Sequence, residues 1–408
     1  MNNNVNFKER AVDTFLNNEF KFKSFKFKSI DLMFVIVLWA VALLVRIKLY
    51  PVVSADYFGF LEIWMNEIKG VGPVKFLAGN TANYSSPYLY LMCLVSGFAD
   101  SLAALKSVSV FFDYVACCAV FAIIWELTKD IRKSILGMSI LLLCPTTILD
   151  GAYWCQCDII YTSIILWALY FFFKDKSRVC FILLGVAFAF KLQTLFIFPF
   201  FVIMYLKGKN IKLLHVLYVP AVFAVAHIPA AICGKPIKEI LTIYTSQAGY
   251  YPWGTLQYPN AYVLLDETID SYHWMNEVSS AGTLFAIMVL GFIAYYLCTS
   301  KFEMTNEIIL SIAMFTVAIA VYFLPHMHDR YGFLIDLIAI IYAVIRPRRL
   351  PLLCAIFFVT VMTFMPYLIA VNVMSARTLA FIQTGIIVYM GYDLYSLIKS
   401  SPATEGCN

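Results

Sequence analysis

From position 31 to position 398 the chain is a succession of apolar stretches broken by short polar links, and this pattern leaves few folds open. An apolar run of about 20 residues is what a helix needs to cross ~30 Å of hydrocarbon. Runs that approach this length are drawn at 31–49, 104–125, 132–149, 159–173, 178–190, 193–206, 213–232, 282–299, 307–323, 333–345, 350–373 and 378–397. Composition agrees, with 62% hydrophobic residues, 13% charged residues and a mean hydropathy of +0.80. The expected class is an all-α polytopic membrane protein with about twelve transmembrane helices. Its parts are a basic N-terminal segment, 1–30, a single transmembrane domain, 31–398, and a short tail, 399–408.

Charge assigns the two sides. Lys8, Arg10, Lys21, Lys23, Lys26 and Lys28 precede the first span, which puts the N-terminus in the cytoplasm. About thirty residues precede that span, so it reads as a retained signal anchor. With this start, Lys129, Arg132 and Lys133, then Lys174, Lys176 and Arg178, then Lys207, Lys209 and Lys212, and finally Arg346, Arg348 and Arg349 all fall inside. The tail is inside as well. The first connection departs from the rule, because Arg46 and Lys48 sit at the outer end of the first span, a place where an anionic substrate would be met. The apolar piece 87–98 is too short to cross at about 1.5 Å per residue and reads as an interfacial or re-entrant helix on the outer face. In 20–29 Phe alternates with Lys, which fits a topology signal or a segment lying on anionic lipid. The net charge of +5 is accounted for by the inner links and calls for no nucleic-acid partner. Most of the eleven cysteines lie in or beside apolar runs as small hydrophobes, and Cys155-Gln156-Cys157 is too tight for a CxxC pair. The sequence has no soluble domain and no nucleotide-binding glycine loop. An enzyme of this build with an outward-facing site takes its activated substrate on a lipid.

The segments able to do chemistry, 54–57, 153–158, 191–193, 234–281 and 325–331, all fall on the outer side. Asp56 follows the first span and precedes Phe58, Leu61, Ile63 and Trp64, which suit an interfacial helix. It is either the base that takes a proton from a sugar hydroxyl or the cap of that helix. Trp154, Gln156 and Asp158 share one turn, which is either an interfacial aromatic anchor or the lip of a cavity where carboxylate, amide and aromatic face together hold a sugar. Lys191 stands between two short apolar segments beside Gln193. It forms the tip of a hairpin satisfied by a lipid phosphate, or it marks a bent helix with the lysine snorkelling or paired to an Asp. Arg330 and His328 lie in His326-Met327-His328-Asp329-Arg330-Tyr331, where a guanidinium suits phosphate better than the two histidines suit a metal. Gln247, Tyr251 and Asn260 belong to an outer loop dense in amides, hydroxyls and aromatics, which reads either as a carbohydrate-facing lid or cleft or as an ordinary wet interfacial loop.

A resemblance runs nearly the length of the chain. It is carried by Arg46 and Tyr50-Pro51 ahead of Ser54-Ala55-Asp56-Tyr57 and Trp64, then by Asn83-Tyr84-Ser85-Ser86-Pro87-Tyr88-Leu89 and Asp150-Gly151-Ala152-Tyr153-Trp154-Cys155-Gln156-Cys157-Asp158. Phe188-Ala189-Phe190-Lys191-Leu192-Gln193, Tyr244-Thr245-Ser246-Gln247-Ala248-Gly249-Tyr250-Tyr251, Pro259-Asn260-Ala261-Tyr262 and the 326–331 turn continue it. In order and spacing these resemble bacterial mannosyltransferase-like proteins related to the GPI mannosyltransferase II family. Beyond them they resemble the ER glucosyltransferases that extend the dolichol-linked oligosaccharide.

The resemblance implies the GT-C glycosyltransferase fold in a bacterial inner or plasma membrane, with interfacial helices in the first outer loop and the site at the outer face. It implies Asp56 as general base and a polyprenyl-phosphate hexose as donor, whose phosphate meets Lys191, Arg330, His328 and Arg46. Trp154, Gln156, Asp158, Gln193, Gln247, Tyr251 and Asn260 would contact sugar or acceptor, a surface or lipid-linked glycan. The single first-loop acid resembles the metal-independent branch, so no metal or cofactor is expected. A lipid-linked sugar flippase and a glycan polymerase are the rival readings.

Overall fold

The computed structural model describes residues 16–22, 25–248, 253–265 and 275–402. The protein is a multi-pass helical membrane protein. Six helices are long and apolar enough to cross a membrane: Ser29–Leu49, Ser101–Thr128, Leu213–Cys233, Ser279–Thr299, Asn306–Phe323 and Pro347–Ile369. A bent pair, Ile131–Leu143 with Pro145–Tyr153, makes a seventh if it is counted as one span.

The remaining expected spans are helical but differ in kind. Asp158–Phe173, Ser177–Phe190, Leu192–Leu206 and Phe333–Ile345 are shorter than a crossing requires, and Ala376–Ser400 carries Arg377, Gln383, Asp393 and Lys399. Burial explains why short helices serve. Every residue from Phe333 to Val344 is buried, so that helix meets protein on all sides and has no lipid thickness to match. At the other extreme, 17% of the Ser29–Leu49 window is buried, against 78% for Asn306–Phe323. The first helix rides on the outside of the bundle and the second runs through its middle. Where two helices must come close, a small residue permits it: a Cβ at Gly185 would stand 2.8 Å from Val222 Cβ and 3.1 Å from Tyr218 O.

Three local breaks shape the end of the bundle that carries the site. Pro145 lacks an N–H and ends the straight run at Cys144; the chain bends by 44° and passes through a π-helical turn, Ile148–Tyr153. At Lys191 the backbone is extended between the helix Ser177–Phe190 and the 3-10 turn Leu192–Ile197. The rings of Phe181 and Phe201, ten residues before and ten after Lys191, lie 5.5 Å apart, so the two segments fold back on each other as a hairpin with Lys191 at its tip. After the first span the chain forms a π-helical turn, Tyr57–Leu61, and the helix Glu62–Val71, with the ten-residue helix Ser86–Val95 further on.

Two features depart from an all-helical reading. Glu19–Phe22 and Phe25–Lys28 pair as an antiparallel hairpin, and Thr255–Leu256 pairs in parallel with Met327–His328. The second ribbon matters because it ties the loop ending the site to the turn carrying Arg330.

One sequence expectation is corrected here. Arg46 is fully buried, its Nε 2.6 Å from Asp113 Oδ2, and its other donors reach Ala42 O, Leu142 O and Thr147 Oγ1. A cation within a membrane helix costs roughly 2.5–3.5 kcal/mol unless satisfied, and Asp113 on the neighbouring helix satisfies it. Arg46 locks the first helix to the bundle and does not line the cavity.

Candidate active site

The outer loops of the expected topology enclose a cavity of about 1110 Å³. Asp56 lines it, together with Gln156, Lys191, Gln193, Gln247, His328 and Arg330, all expected from the sequence.

Asp56 is at the entry to its helix yet does not cap it. Ser54 does: its Oγ accepts from Tyr57 N at 3.2 Å and donates to Trp154 O at 2.6 Å. The Asp56 carboxylate is therefore turned to other partners. Its Oδ2 accepts from Trp154 Nε1 at 2.9 Å and Gln156 Nε2 at 2.5 Å, with Arg330 Nη1 at 3.7 Å. Its Oδ1 accepts from the Tyr367 hydroxyl at 3.0 Å. One oxygen is crowded by donors, and the other faces a single phenol on the cavity wall.

Behind Asp56 stands a second acid. Asp158 is fully buried and bridges both cations, with Lys191 Nζ 2.6 Å from Oδ1 and Arg330 Nε 3.1 Å from Oδ2. The sequence left open whether Lys191 tips a hairpin or pairs with an Asp; it does both. The Arg330 guanidinium also lies 5.1 Å from the centre of the Trp154 ring, and that ring stacks on Tyr367 at 5.2 Å.

These contacts correct three expected roles. Asp158 and Trp154 are shut away at 0% exposure and absent from the cavity wall, so they position Lys191, Arg330 and Asp56 instead of touching sugar. Asn260 is also fully buried, its Oδ1 accepting from Tyr262 N in a local turn, and it does not line the cavity. Tyr251 lies outside the described residues. Gln193 and Gln247 do face the cavity, and Gln247 Nε2 donates to Asn83 O at 3.1 Å.

The 326–331 turn divides its labour. The His326 ring nitrogens bond to Ser279 Oγ at 2.7 Å and Trp253 O at 2.7 Å, so this residue braces the loop. His328 lines the cavity against the Tyr331 ring, and burial, followed by the charges of Arg330 and Lys191, holds its imidazole well below the ordinary range. It offers a neutral ring at neutral pH. Burial pushes Asp329 up to about 7 from an ordinary 3.8, with Arg330 opposing and Asp56 adding to the rise. Among the described residues no group of three or more His, Cys, Asp or Glu stands arranged for a metal.

Tyr367, Lys235 and Asn80 line the cavity without having been singled out in sequence, and Asp329 and Asn83, named there only as members of motifs, line it as well. Tyr367 lies in an apolar run, where an aromatic looks like core. Lys235 carried a readable signal, a cation two residues past the end of a span.

No protein-family model matches the chain, and no curated protein matches it. The functional reading therefore rests on the residues themselves.

Proposed function

We propose that the protein is an inverting glycosyltransferase of the GT-C type. In this reading it moves a hexose from a polyprenyl-phosphate donor to a glycan acceptor at the extracytoplasmic membrane face. The twelve-span topology belongs to the same proposal, with the short buried helices serving as the inner crossings. What carries the reading is one juxtaposition: a carboxylate with one lightly engaged oxygen, Asp56 Oδ1, shares a cavity wall with Lys191 and Arg330.

The chemistry follows from the chain's own groups. The acceptor hydroxyl approaches Oδ1, because Oδ2 already accepts from Trp154 and Gln156. Its oxygen forms a bond to the anomeric carbon as the bond from that carbon to the phosphate oxygen breaks, and its proton passes to Asp56. The leaving group departs as polyprenyl monophosphate. Charge grows on that phosphate, and fixed cations facing it stabilise the transition state in a water-poor site. A phosphate leaves without help from a second acid, which agrees with Asp158 serving as the anchor of both cations.

The test is a panel of polyprenyl-phosphate hexoses supplied to the purified chain with lipid-linked acceptors. Release of polyprenyl monophosphate with one hexose is the expected result. Release of diphosphate would mark a polymerase, and transport without release a flippase. Either one overturns the proposal.

A further inference from the structure

Beside Lys191 and Arg330 the cavity holds a third cation, Lys235, and its situation differs from that of Lys191. Lys235 is 6% exposed and lines the wall. Its Nζ donates to Gly79 O at 3.1 Å, and among the described residues no carboxylate stands within ion-pair distance of it. Lys191 and Arg330 share Asp158 and Arg330 also neighbours Asp56 and Asp329, whereas Lys235 has Glu239 as its electrostatic neighbour without a contact. Burial lowers its ammonium from the ordinary lysine value. A buried ammonium with a lone carbonyl has donors to spare and gains from an anion.

Its place in the fold says which anion. The helix Tyr218–Cys233 ends at Gly234, whose φ of 109° turns the chain, and Lys235 follows at once. That helix belongs to an apolar segment long enough to cross the bilayer, so Lys235 sits at the depth of the headgroups, where a lipid carries its phosphate. The wall running from it carries one acid, Glu239, which makes no ion pair with Lys235, and beyond Glu239 its polar side chains are uncharged. Thr242, Ser246 and Gln247 on the helix Ile237–Ala248 line the cavity together with Asn80 and Asn83, to whose carbonyl Gln247 is bonded, a set of hydroxyls and amides suited to sugar.

We infer that Lys235 is a second phosphate subsite, which holds the lipid-borne phosphate of the acceptor while the hydroxyl and amide wall holds its sugars. This rests on the glycosyltransferase reading and narrows the acceptor from any surface glycan to a glycan on a lipid phosphate. Lys191 and Arg330 remain with the donor.

Binding tests it without turnover, so its failure is separable from failure of the proposed reaction. The full chain in detergent is titrated with three synthetic probes carrying one disaccharide: an alkyl phosphate glycolipid, its neutral alkyl glycoside, and the tail-less sugar phosphate. The wild type is expected to bind the phosphate glycolipid about tenfold or more tightly than either control. Lys235→Gln should abolish that preference, and Lys235→Arg should keep most of it. Polyprenyl monophosphate binding should survive Lys235→Gln and fall in Arg330→Ala. If Lys235→Gln keeps the preference, or lowers the melting temperature and weakens all probes alike, the lysine merely ties down Gly79 and the subsite is overturned. Equal binding of the tail-less sugar phosphate overturns the lipid source.

Discussion

At the scale of single residues, the site turns on how each carboxylate is held. Asp56 is positioned by Trp154, Gln156 and Tyr367, so Asp56→Asn keeps the shape and loses the proton acceptor. Turnover is expected to fall ~10²–10⁴-fold with donor affinity little changed, as rate and binding measurements on the purified chain would show. Near-normal turnover would remove Asp56 from the chemistry. Asp329 makes a different test. Its folded value near 7 lies above its ordinary 3.8 because burial favours the neutral acid, with Arg330, Asp56 and Asp158 the charged groups facing it. The folded state therefore holds a proton that the unfolded chain releases from about pH 4 upward, and stability is lost as pH rises to about 7. The melting temperature of the wild type should fall relative to Asp329→Asn across that window and run parallel to it above. A constant difference from pH 4 to pH 8 would show that Asp329 is not held neutral. Asp56, Lys191 and Arg330 were legible in sequence because charges at the ends of apolar runs are costly and so carry meaning. Arg46 was misread for a related reason. Its partner Asp113 lies 67 residues away on another helix, and one-dimensional reading does not pair them.

At the scale of elements, the site is assembled by interruptions more than by regular helix. The Cys144–Pro145 bend, the extended residue Lys191 and the turn after the first span each point a loop into the same cavity. The link that fixes the first loop is Ser54, which caps Tyr57 and bonds the Trp154 carbonyl. Losing a cap costs about 1 kcal/mol. Ser54→Ala is accordingly expected to slow turnover by up to about tenfold by loosening Asp56, with binding of polyprenyl monophosphate unchanged. Ser54→Thr should restore most of the rate. An alanine variant with wild-type turnover would show that the Trp154 turn holds Asp56 alone. Of these interruptions, the sequence displayed the lysine between two short apolar segments and the acid after the first span. It did not display the bend as a bend. A proline beside a cysteine inside an apolar run reads equally well as the end of a span, and 132–149 was drawn straight through it. The ribbon between Thr255–Leu256 and Met327–His328 was invisible because two-residue strands leave no period to detect.

For the molecule as a whole, the question is which end of the bundle faces which compartment. The basic links find partners in one another's neighbourhood: Glu126 pairs with Lys129 at 2.9 Å and Lys174 at 3.1 Å, Arg346 pairs with Glu307 at 2.7 Å, and Lys207 Nζ donates to Ser300 O at 3.0 Å. The links that carry the cavity are likewise joined, Asp56 to the Trp154 turn, Gln247 to Asn83, and Arg330 to Asp158. Helices run between the two sets, so the orientation of one set decides the other, and the proposal puts the first in the cytoplasm on the strength of its excess of Lys and Arg. Cysteine labelling reads this directly. With the eleven native cysteines replaced, Ser246→Cys, an exposed position on the cavity wall, should react with an impermeant maleimide on intact cells. Lys212→Cys, exposed in a basic link, should react only after the membrane is opened. Position 329 is a poor reporter, since its side chain is nearly closed off from solvent. The reverse pattern would put the cavity in the cytoplasm, where nucleotide-activated sugars are at hand and a lipid-borne donor loses its rationale. The sidedness of two residues thus bears on the donor class as well as on the topology.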